Sequence, residues 1–221
     1  MGLERKHINI AGTGYEGIML FLAEILCCAG KKVLISDCTV EHSMEGFFPC
    51  VKGLDPKNTA VDYGGIGYTV MNPKENNIRS LEDVGKDYDI VFKLKDLREL
   101  TNNTELNIFI LDERAGSINE LQNVKPGTQS ILIINDYTGA VKRRIENTAD
   151  KLDISKVYIL PPYVRDRKLE ILAGYNDRFK FKGLSREKKE MLIELTGLLC
   201  PDLIKKEIIK AYKQASEGGR K

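Results

Sequence analysis

Apolar residues fall in short runs along this chain, at 8–11, 33–37, 90–94, 108–111, 131–134 and 157–160, with little alternation between apolar and polar positions. Runs of four or five residues rich in Ile, Val, Phe and Leu predict strands buried on both faces of a parallel sheet. Between them the spacing turns helical: after Gly17 as far as Gly30, at 117–123, at 138–152, and at 165–173, where Gly174 closes the pattern. Strand and helix in alternation predict a three-layer α/β sandwich with a mostly parallel central sheet. From 38 to 75 the pattern weakens into Gly, Pro and aromatics. It predicts a long loop there, with an edge hairpin around Asp62-Tyr63-Gly64-Gly65-Ile66-Gly67-Tyr68. In the tail Ser185 caps a helix running to 199, Pro201 interrupts it, and a last helix reaches about 216. The division this predicts is an α/β domain over 1–199 and a C-terminal helix with a polar tail over 200–221.

Composition narrows the class. The 221 residues suffice for one full core. With 42% hydrophobic residues, 30% charged residues and a formal net charge of +2, neither disorder nor a strong nucleic-acid field is predicted. Five cysteines without a C-x-x-C spacing fit a reduced, cytoplasmic protein. No apolar h-region precedes the first strand, and no window reaches the 18 or so apolar residues of a membrane span. The terminal helix sets Leu203, Ile204, Ile208 and Ile209 among Lys205, Lys206, Lys210 and Lys213. Docking on the domain's own core is the preferred reading over peripheral membrane contact. Arg143-Arg144 and Lys188-Lys189 are expected to be charges on solvated helix faces and give no ground for nucleic-acid binding. His7 and His42 stand apart from other ligand types, so no metal site is expected.

The candidate chemistry sits at the first turn. Gly12-Thr13-Gly14-Tyr15-Glu16-Gly17 follows a strand and opens a helix, and Asp37 lies about 20 residues on. Such a turn brings backbone close to a ligand and aims the helix's free N–H groups at an anion. Taken alone, Gly12, Gly14 and Gly17 with Asp37 spell the dinucleotide fingerprint and imply NAD(P), with Asp37 on the ribose, in a Rossmann-type oxidoreductase or redox sensor. The same glycines also read as a tight strand-to-helix connection without a ligand, and Asp37 as a turn residue.

A second reading rests on later segments. Gly30-Lys31-Lys32-Val33-Leu34-Ile35-Ser36-Asp37, the asparagine-ended strand Leu132-Ile133-Ile134-Asn135-Asp136 and the turn Leu160-Pro161-Pro162-Tyr163-Val164-Arg165-Asp166 come in order, and Tyr88-Asp89-Ile90-Val91-Phe92 lies between them. Together they resemble the MinD/ParA-type family of dimerising P-loop ATPases over most of the span from Ile8 to about Leu199. The resemblance implies a P-loop NTPase-like fold, ATP or ADP as ligand, Asn135 and Pro161 at the adenine, a homodimer, and a protein partner in a positioning or assembly process of a bacterial cell. It also exposes departures. Aligned on Gly30-Lys31-Lys32, the family's phosphate-binding lysine falls on Tyr15, its magnesium-binding hydroxyl on Glu16 and its signature lysine on Ile10. Its second post-strand aspartate falls on Thr39, and its Walker-B aspartate falls near Leu94, with Asp96 displaced by two. Phosphoryl transfer depends on positioned positive charge, and Glu16 supplies the opposite. The expectation is a degenerate member without the usual ATP hydrolysis and without catalytic residues. Lys31, or a partner's lysine, is a candidate substitute for the missing charge.

Overall fold

A computed structural model describes residues 6–48, 56–57, 59–71, 81–100, 106–113, 115–121, 124, 129–140, 142–174 and 180–218. In chain order the elements are β1 (Lys6–Gly12), α1 (Glu16–Cys28), β2 (Val33–Asp37), β3 (Val61–Tyr63), β4 (Ile66–Val70), α2 (Leu81–Val84), β5 (Ile90–Lys95), β6 (Leu106–Asp112), α3 (Ala115–Leu121), β7 (Gln129–Asn135), α4 (Lys142–Lys151), β8 (Ile154–Ile159), α5 (Val164–Ala173), α6 (Arg186–Leu199) and α7 (Lys205–Ser216). The strands form one sheet in the order β3-β4-β2-β5-β1-β6-β7-β8. All neighbours run parallel except β3, which pairs antiparallel with β4. The three-layer, mostly parallel architecture expected from the apolar runs is the one found.

The helices divide between the two faces. On one face Ile8, Ile10, Ile35, Phe92 and Ile108 join α1, α6 and α7 in the larger core. On the other, Phe109, Leu111, Leu132 and Ile134 pack with Ile118, Leu121 and Ile145 of α3 and α4. α1 is buried without a break from Gly17 to Cys27, the mark of a central helix rather than an amphipathic surface one. Truncating Leu22, 1% exposed, to alanine would cost about 2–5 kcal/mol on that basis. α7 lays Ile208, Ala211, Tyr212 and Ala215 inward, and Tyr212 meets Phe181, which stacks on Phe21 of α1 at 4.5 Å. The terminal helix therefore docks on its own core. Ser185 caps α6 as expected, its hydroxyl accepting from Lys188 N.

Several boundaries differ for physical reasons. The predicted edge hairpin exists, turning at Gly64 and Gly65 with φ of 60° and 94°, but β4 is a full sheet member parallel to β2. Its glycine is structural: a Cβ on Gly67 would overlap the Tyr88 ring. The rest of the predicted 38–75 loop lies partly outside the described residues. α4 starts at Lys142 rather than 138, because Asp136 and Gly139 take positive φ and Thr138 turns its N–H and hydroxyl to the Glu113 carboxylate. α3 starts two residues earlier than the predicted 117, and residues 122 and 123 lie outside the described set. β8 begins at Ile154, since its polar residues have partners at this sheet edge: Ser155 Oγ donates to Ser130 O of β7 at 2.7 Å and Lys156 pairs with Glu194 of α6. Gly174 ends α5 at a helical φ of −73°; a Cβ there would press on the ring of Phe47 at 3.0 Å.

Candidate functional site

The turn from β1 to α1 lies at the carboxyl edge of the sheet, where open α/β sheets bind ligands. β1 stays paired through Gly12, which sits opposite Ile110, and α1 begins at Glu16. Only Thr13, Gly14 and Tyr15 connect them. Ile10, where the resemblance places a loop lysine, is instead a ladder residue between Leu94 and Ile108.

Gly12, Tyr15 and Gly17 of this turn are engaged by the protein. Gly12 has φ of 130°, and a Cβ on it would overlap the Ile110 carbonyl oxygen, which accepts a hydrogen bond from Thr13 N at 2.8 Å. Gly17 has no room for a Cβ because the Glu170 side chain lies against it. Gly14 has open space and φ of 65°, the left-handed region a glycine enters without strain. Tyr15 precedes α1 without capping it. Its ring is buried and its hydroxyl shares a 2.5 Å hydrogen bond with Ser43 Oγ. Burial pushes its phenol up to about 12, with the carboxylates of Asp37 and Glu16 adding and the Ser43 bond opposing. The carboxyl of Glu16 is also pushed up by burial, against its own backbone hydrogen bond and Arg167, with Glu170 and Asp37 adding repulsion.

Beside the first turn of α1 stands a buried ion pair that sequence reasoning missed. Glu170 Oε1 accepts from Lys188 Nζ at 2.5 Å, both side chains being at most 6% exposed, and Arg167 approaches the other oxygen at 3.7 Å. Asp166, one turn earlier on α5, accepts from Ser185 N and Oγ at the start of α6. Lys188 is therefore not the solvated charge its sequence neighbourhood implied. Nothing local signals this, since its partner lies 18 residues away on another helix. Lys189 does reach outward, over the ring of Tyr212.

The other candidates divide in two. Asp37 is fully buried at the end of β2 and accepts from Thr39 N, Thr39 Oγ1 and Met44 N at 3.1, 2.6 and 3.1 Å. It holds its own loop shut, with Asp96 adding a bond from Val40 N. Lys31 pairs with Asp202 at 2.7 Å past the far end of α1, away from the glycine turn. Asn135 ends β7, two strands from β1 and so about 10 Å away. It is 4% exposed and its Oδ1 has no hydrogen-bond partner. Leu160, just before Pro161, ties the two strand ends together, donating to Ile134 O and accepting from Tyr137 N. Beyond Pro161 a groove of about 780 Å³ opens between the loop at Asp136 and Thr138 and the outer side of α5. Among the described residues no three His, Cys, Asp or Glu side chains are placed to hold a metal ion, and no helix is long and apolar enough to cross a membrane.

Strand order decides between the two sequence readings. A dinucleotide-binding sheet sets its first two strands side by side. Here β5 lies between β1 and β2, so the Rossmann reading of the glycine fingerprint is overturned. Superposition on solved structures agrees. A ParA family ATPase from Chlorobium tepidum TLS aligns at TM-score 0.57 and 10% identity, over 87% of this chain and 99% of that one. The MinD cell division protein of Aquifex aeolicus aligns at 0.54 and 15%, over 90% and 98%. The chain has the ParA/MinD fold. A protein assigned to plasmid partition in Borrelia burgdorferi B31, solved with AMPPNP bound, aligns at 0.53 and 13% over 95% and 99%. No protein-family model matches the sequence, and a comparison with curated proteins finds no match. The ParA/MinD likeness is thus one of backbone, and side-chain chemistry has to be judged on this chain's own residues.

Proposed function

We propose that this chain is a ParA/MinD-fold pseudo-ATPase, whose work is to bind a protein partner in a positioning or assembly process rather than to turn over nucleotide. The observation that carries the reading is Tyr15: its ring is buried and bonded to Ser43 at the position where the family resemblance expects a phosphate-binding lysine. The Glu16 carboxylate stands at the first turn of the same helix, beside a Glu170 carboxylate already paired with Lys188 and Arg167. A phosphate oxygen brought within 4 Å of a carboxylate meets repulsion of about 1–4 kcal/mol per pair. Gly12 and Gly17 answer to the Ile110 carbonyl and the Glu170 side chain, so their presence is accounted for without a ligand.

Adenine nucleotide, on this reading, engages only the Asn135–Pro161 end and binds weakly. A place in the cytoplasm of a bacterial cell belongs to the same proposal. The test is phosphate release from Mg·ATP at high protein concentration, beside titrations with ADP and NADH. Background-level release and no saturable NADH binding are expected. Turnover that scales with protein and disappears on Glu16→Lys would overturn the reading.

A further inference from the structure

We draw no further inference here: the strongest candidate, the apolar groove of about 780 Å³ between the loop at Asp136 and Thr138 and the outer side of α5, carries none because nothing in the structure shows what covers it.

Discussion

Two places on one sheet edge, the β1–α1 turn and the α5 groove, treat their special residues in opposite ways. At the turn, Gly12, Tyr15, Gly17 and Glu170 find partners inside the protein: Ile110 against Gly12, Ser43 on Tyr15, Glu170 beside Gly17 and Lys188 on Glu170, while Gly14 stays open. At the groove, Val164, Ile171 and Lys168 face solvent. A motif whose groups are satisfied internally reports on folding; exposed apolar groups stay available to other surfaces. The turn that looks functional in the sequence is therefore the structural place, and the helix that looks ordinary is the available surface.

Substitution should break that contrast unevenly. The largest effect is expected for Gly12→Ala, which adds a Cβ against the Ile110 carbonyl at φ of 130° and should cost about 4 kcal/mol or prevent folding, read by urea denaturation. Lys188→Met leaves buried Glu170 with only the more distant Arg167 and should cost about 3 kcal/mol; adding Glu170→Gln should recover most of it, because removing both members of a buried pair costs far less than removing one. Tyr15→Phe should cost about 1 kcal/mol at neutral pH by leaving Ser43 without its bond. With the native phenol held up near 12 and an unfolded value of 10.0, Tyr15 stabilises fully below pH 10 and loses that contribution as pH rises toward 12. The phenylalanine variant should therefore show a shallower alkaline loss of stability. Glu16 works the other way at neutral pH. Its raised carboxyl makes ionisation in the native state unfavourable, so stability falls as pH climbs above the ordinary carboxylate value of 4.5, and Glu16→Gln should gain about 0.5 kcal/mol at pH 7 that vanishes in acid. Ile171→Asp, the smallest in stability, should stay within about 0.5 kcal/mol, read by the same denaturation, because its side chain is exposed.

Most of the sheet was legible because β1, β2, β5, β6 and β7 are apolar runs buried on both faces, which only a parallel, helix-covered sheet requires. β4 was legible only as half of an edge hairpin and not as a parallel neighbour of β2, because Gly64, Gly65 and Gly67 read as turn residues, although the last of these glycines serves Tyr88. The site was less legible. G-x-G-x-x-G names a backbone shape, and the same shape admits either a phosphate or a neighbouring carbonyl; the choice is made by Ile110 and Glu170, about 100 and 150 residues away in sequence. One transverse row of the sheet also escaped notice. Thr69, Ser36, Lys93, Asn9, Asn107 and Ser130 align across six strands, with Asn9 Nδ2 donating to Asn107 Oδ1 at 3.0 Å. In each strand a single polar residue looks like an interruption, and only register gathers them.

The central claim, that the glycine turn is closed on itself and takes no triphosphate, is tested most directly by calorimetric titration of the full chain with Mg·ATP. The account predicts no saturable heat below about 1 mM, and the same null result for Tyr15→Lys, where Glu16 still opposes phosphate. Saturable binding to the native chain in the micromolar range, weakened by substitution at Thr13 or Gly14, would contradict it.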